Sequence, residues 1–113
     1  RQVIDDPRVV IRKVGVAREP SIESDINSWA FQALQRTIGE VFPEALFAPY
    51  LLLGGTDSYH YRNLAPKSIY RFSPIWLKPA DLPRIHGANE RISIANYELG
   101  IHFYHQLIRN LDL

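Results

Sequence analysis

From Ile26 onward the apolar residues Ile26, Trp29, Ala30, Ala33, Leu34, Ile38 and Val41 recur at three- and four-residue steps, the spacing that lines one face of a helix. Ser24 or Asp25 is available to cap its N-terminus, and Pro43 ends it. A second stripe is cleaner. Ile94, Tyr97, Ile101, Tyr104, Ile108 and Leu111 step by three, four, three, four and three, which predicts a C-terminal helix laying that stripe on a core, with Ser93 as N-cap.

Between and before these helices the pattern changes period. Val9-Val10-Ile11-Arg12-Lys13-Val14-Gly15-Val16 is rich in β-branched residues after the turn-like Asp5-Asp6-Pro7 and reads as a strand. Phe47 to Leu53 is short, apolar and closed by Gly54-Gly55, which suits a buried strand entering a tight turn. Asp57 to Leu64 suits a short helix. Ser68 to Phe72 alternates between Pro66 and Pro74 and reads as another strand, followed by a Pro-punctuated loop through Pro79 and Pro83 that ends at His86. The order of helices and strands predicts an α/β fold, a sheet flanked by helices. The polar Arg18-Glu19-Pro20-Ser21 marks a boundary near Pro20.

Charge and composition narrow the function classes. Thirteen Lys and Arg against twelve Asp and Glu give a net charge of +1 with no run of either sign, so no footprint for nucleic acid or an anionic membrane exists. No apolar stretch approaches the roughly 20 residues needed to span a bilayer. The lack of Cys removes disulfides, thiolate ligands and thiol nucleophiles together, while leaving the compartment open. There is no Met either, so Arg1 is not expected to be a translation start and a longer product is expected.

Two segments carry candidate chemistry. His86, followed by Gly87 and the Asn89-Glu90 pair, leaves a loop close to a helix start, a natural place for a metal-ligating imidazole. Taken alone, a loop His is more often a surface or packing residue. Glu90 is either an outer carboxylate or a charge in the first turn of the helix that follows. Gly54-Gly55-Thr56-Asp57 follows an apolar run, so its backbone N–H groups and the Thr56 hydroxyl are placed to receive a carboxylate or an oxyanion; the plain alternative is a strand-to-helix turn. Asp57, Ser58 and His60 hold the residue types of a hydrolytic triad but are packed into four positions without a nucleophile elbow, which excludes a serine hydrolase. His102 and His105 sit with Glu98 and Arg109 on what reads as a solvated flank. The aromatic residues Tyr59, Tyr61, Tyr70, Phe72 and Trp76, interleaved with Arg62 and Arg71, read as strand packing rather than base stacking.

These segments gain weight from their joint order. Ala48-Pro49-Tyr50 leading to Gly54-Gly55-Thr56-Asp57-Ser58, then Asn63-Leu64, Ile69 to Pro74, Arg84 to Ser93, and Tyr97 with Leu107-Ile108 together resemble the C-terminal end of the cocatalytic dinuclear zinc carboxypeptidase and aminoacylase family, in its carboxypeptidase S branch. The resemblance implies a catalytic α/β domain holding two zinc ions, interrupted by a lid or dimerisation domain. Residues 1–19 would be the end of that lid, contributing its last strand, and 20–113 the C-terminal segment of the catalytic domain. By its motif His86 would be the last zinc ligand, while Gly55 and Thr56, with Arg62, would bind the substrate's carboxylate end. The family's other zinc ligands and its general base precede the lid and are absent, so no catalytic residue falls in this chain. Tyr59 stands where some relatives carry Arg.

The implied activity is hydrolysis of a peptide or N-acyl-amino-acid amide bond beside a free carboxylate, in an enzyme expected to dimerise. The chain alone is then expected to be inactive and, with apolar surface left uncovered, to self-associate. The rival expectation is a non-catalytic α/β interaction module or a decayed remnant of such an enzyme.

Overall fold

The computed structural model describes residues 3–12, 14, 15 and 20–111. Among them are two α-helices, α1 (Trp29–Val41) and α2 (Ile94–Leu111), and two short 3₁₀ helices, Asp57–Tyr61 and Leu82–Arg84. No described residue is in a strand. The expectation of an α/β fold with a sheet flanked by helices is therefore overturned. The segments expected as strands are extended or irregular instead, and residues 13 and 16 of the first lie outside the described set.

The reason is a shortage of partners. An isolated extended segment gains nothing until its backbone N–H and C=O groups find a ladder. Here single side chains answer them one residue at a time. Ser24 Oγ donates to the Ile69 carbonyl at 2.7 Å and accepts the Ile69 N–H at 3.2 Å. Farther along, the Asn96 side-chain amide accepts the Trp76 N–H and donates to the Trp76 carbonyl, each at 2.9 Å. The Leu51–Leu53 run has no such partner among the described residues and stays exposed.

The helices start and stop where local chemistry dictates. Ser28, not Ser24 or Asp25, caps α1 by accepting the Phe31 N–H at 3.1 Å. At the other end the Phe42 N–H closes on the Ile38 carbonyl at 2.8 Å, immediately before Pro43, which disfavours a further helical residue. Ser93 Oγ accepts the Asn96 N–H at the start of α2, as expected.

The core is small and aromatic. Phe103, only 1% exposed, lies with its ring centroid 5.0 Å from Phe72 and 6.1 Å from Phe42. Phe42 also meets Trp76 edge-on at 5.8 Å. A neighbouring group joins Phe31 to Phe47 at 5.3 Å and to Tyr70 at 5.4 Å. Tyr70, Phe72 and Trp76 thus pack from extended loop rather than from the expected strands, while Tyr61 is exposed.

α1 and α2 pack on one another, and a polar seam runs beside their aromatic contact. Thr37, fully buried, donates to the Ala33 carbonyl and accepts from Asn110 Nδ2, both at 2.8 Å. Asn110 and Gln106 also donate to Glu40 Oε2 at 2.9 and 2.8 Å. These bonds, Asn110's first, hold the Glu40 carboxyl below the usual glutamate range, with Arg36 adding to the effect.

One expectation about α2 is reversed. The stripe Tyr97, Ile101, Tyr104 and Ile108 is exposed, Tyr97 and Ile101 by 62% and 57%, while the neighbouring face bearing Leu99, Phe103 and Leu107 meets the core. The radius of gyration, 18.9 Å, exceeds the about 13 Å typical of a compact domain of this length.

Candidate functional site

His86 sits at the end of a short, stiff loop. The 3₁₀ helix Leu82–Arg84 has Pro83 in its first turn, and an Asp81–Arg84 ion pair at 3.1 Å closes it. The Gly87 N–H then returns to the Arg84 carbonyl at 2.8 Å. That return brings the backbone so close that a Cβ on Gly87 would lie 3.2 Å from the Pro83 oxygen, a tight contact that favours glycine. Between these fixed points His86 takes a left-handed backbone, φ 59°, and Asn89 does the same at φ 62°. For a residue with a Cβ this costs about 1 kcal/mol or more, and it is tolerated where the surroundings dictate it. The His86 side chain is exposed and makes no hydrogen bond or ion pair among the described residues.

The second segment is organised around a hydroxyl pair. Thr56 caps the 3₁₀ helix Asp57–Tyr61 by accepting the Ser58 N–H at 3.2 Å, and its hydroxyl is bonded to that of Ser58. Arg71 reaches in from the Ser68–Phe72 segment, donating Nε to Ser58 Oγ at 3.0 Å and Nη1 to the Gly54 carbonyl at 2.9 Å. Neither Gly54 nor Gly55 has a positive φ, and a Cβ on either would meet nothing within 4 Å. Arg62 is drawn the other way: its guanidinium lies 3.8 Å over the Tyr59 ring and donates to the Tyr59 carbonyl at 3.0 Å. Tyr59 thus occupies Arg62 with a cation–π contact.

Gly54, Thr56, Ser58 and Arg71 are brought together; His86 is joined to them by no hydrogen bond or ion pair among the described residues. Arg71, read from sequence as packing, is the residue that the pattern missed; its only signal was a cation between two aromatic residues. Ser58 is tied to Thr56 and Arg71. His102 and His105 are exposed on α2.

No three His, Cys, Asp or Glu side chains converge on a possible metal position among the described residues. A zinc site takes three or four protein ligands, so His86 could hold such an ion only together with donors from beyond the described residues.

The family model for peptidase family M20/M25/M40 matches residues 8–110. The chain belongs to that family. It is 41% identical over 111 residues to a probable carboxypeptidase S-like protein of Dictyostelium discoideum, covering 98% of the chain and 21% of the relative. Similarity extends to vertebrate N-fatty-acyl-amino acid synthase/hydrolases: 39% over 111 residues in Danio rerio, covering 97% of the chain and 21% of the relative, and 44% over 94 residues in Homo sapiens, covering 82% and 18%. The chain spans about a fifth of the length of these relatives. No solved structure matches it. Among the described residues no helix is long and apolar enough to cross a membrane.

Proposed function

We propose that this chain is the C-terminal segment of a zinc-dependent hydrolase that cleaves peptide or N-acyl-amino-acid amide bonds next to a free carboxylate. In this reading residues 1–19 end an inserted lid or dimerisation domain and 20–113 complete the catalytic domain. His86 supplies one zinc ligand, and Gly55, Thr56 and Arg62 belong to the segment that receives the substrate's carboxylate. The remaining ligands and the proton-transferring group come from outside this chain, which alone is inactive.

Family membership supports the reaction class, and relatives named as carboxypeptidase S-like proteins or N-fatty-acyl-amino acid synthase/hydrolases support the substrate class. The observation that carries His86 is its backbone. A non-glycine residue held left-handed between an ion-paired turn and a tightly approached glycine, with its ring left unbonded among the described residues, matches the way strained residues collect at functional sites. A neutral ring in that position has a nitrogen free for a cation. Gly54 and Gly55 add a second support. Their own backbone requires no glycine, and close approach of a ligand is the other ordinary reason for residues without side chains.

The test is His86→Ala in the full-length protein, with bound zinc and turnover of an N-acyl amino acid measured together. Zinc is expected to fall at one of two positions. Turnover should drop by more than roughly 100-fold, the upper range for loss of even an outer partner of a metal ligand. Wild-type zinc content and rate in the variant would refute the assignment.

A further inference from the structure

Arg71 carries a charge that no described carboxylate neutralises. Arg8, Arg36 and Arg84 each lie beside a carboxylate, and Arg62 lies on an aromatic ring. Arg71, like Arg12, Arg91 and Arg109, has neither among the described residues, Asp57 of the same turn included, but unlike those three its side chain is held by hydrogen bonds, with Nη2 left unbonded. Both of its bonds enter one short turn, to the Gly54 carbonyl and to Ser58 Oγ. From Ser58 the hydrogen bonding continues to the Thr56 hydroxyl.

Fixing a long side chain costs up to about 2 kcal/mol of rotamer entropy; the two bonds from the Arg71 guanidinium offset that cost but give the cation no counter-charge. What the arrangement creates is a planar donor with an unused nitrogen, held at the rim of a turn lined by glycines. A guanidinium favours a carboxylate over a neutral amide because the two opposite charges attract and the planar fork matches both carboxylate oxygens.

Resting on the reading of this turn as the carboxylate end of the substrate site, we propose that Arg71 sets the turn's specificity: it positions the Thr56 hydroxyl through Ser58 and lends the turn the positive charge that selects a free carboxylate.

The experiment compares kcat/KM of the full-length protein for N-lauroyl-alanine and for N-lauroyl-alaninamide, which differ only in the group that would meet the turn. Wild type should prefer the acid. Arg71→Met should lose roughly 10- to 100-fold on the acid, the scale of a charged hydrogen bond, mainly in KM, and less than about threefold on the amide. Arg71→Lys, the variant to fall back on if Arg71→Met fails to fold, should keep the preference for the acid at a raised KM, because it keeps the charge and loses the fork. Equal losses of Arg71→Met on both substrates would mean that Arg71 merely props the turn and would overturn the assignment while leaving the reading of the site intact. The assignment falls equally if Arg71→Met leaves the preference unchanged, or if Arg71→Lys abolishes it. A wild-type enzyme indifferent to the carboxylate would bring down the reading of the turn, and this assignment with it.

Discussion

The two faces of α2 are chemically alike and physically opposite. One carries Leu99, Phe103 and Leu107 into an aromatic core against α1; the other presents Tyr97, Ile101, Tyr104 and Ile108 to solvent. Between the second face and the Ser73–Ile75 segment lies an apolar groove about 610 Å³ in volume. A helix that is apolar on both sides is ordinarily buried on both, so α2 has the composition of an interior helix and the surroundings of a surface one. Spacing alone shows that a stripe wants covering, not which of two stripes this chain can cover.

Substitutions on the two faces should separate sharply in unfolding experiments on the 113-residue chain. Phe103→Ala, which empties the centre of the aromatic cluster, is expected to cost about 3–5 kcal/mol. A loss below about 1 kcal/mol by denaturant titration would mean that this face is no more a core than the other.

Asn110→Ala should cost about 1–2 kcal/mol, because it leaves an oxygen of fully buried Thr37 without its donor. It should also raise the Glu40 pKa toward its ordinary value, since the Asn110 bond is the largest cause of the depression. A depressed folded-state carboxyl stabilises the fold above the unfolded glutamate range, and that contribution is lost as pH falls through the folded value. The wild-type seam should therefore weaken at acid pH, and the acid-side slope of stability should flatten in Asn110→Ala. An unchanged slope would remove Glu40 from the account.

Ile101→Ser on the bare face should change stability by less than about 0.5 kcal/mol, as expected for an exposed site, while reducing self-association in sedimentation. A loss as large as that of Phe103→Ala would show that the bare face is covered after all.

The candidate site divides along similar lines. The short helix after Thr56 and the Pro-punctuated loop ending at His86 were legible because a hydroxyl cap and prolines act over two to four positions along the chain. The left-handed backbone at His86 was not legible, because it follows from the Asp81–Arg84 pair and the close approach of Gly87 to Pro83. Arg71 was hidden for a different reason. Thirteen residues separate it from Ser58, and nothing in an alternating Tyr-Arg-Phe segment says where its guanidinium goes.

The expectation of strands failed on the same distinction. Val9–Arg12, Phe47–Leu53 and Ser68–Phe72 have the residue types of strands, but a strand is a property of a pair. Where Ser24 and Asn96 supply hydrogen bonds, single residues are held extended without a sheet.

The sequence by itself determined the two helices, the stop at Pro43, the cap at Ser93, the short helix after Thr56, the loop ending at His86, and membership of a peptidase family, because each rests on residues close together along the chain or on their order. Only the tertiary structure decided which face of α2 is buried, which segments find backbone partners, and which arginine enters the Gly54–Ser58 turn. Those outcomes depend on groups brought together across the fold, where packing and hydrogen bonding select among neighbours that local preference leaves equivalent.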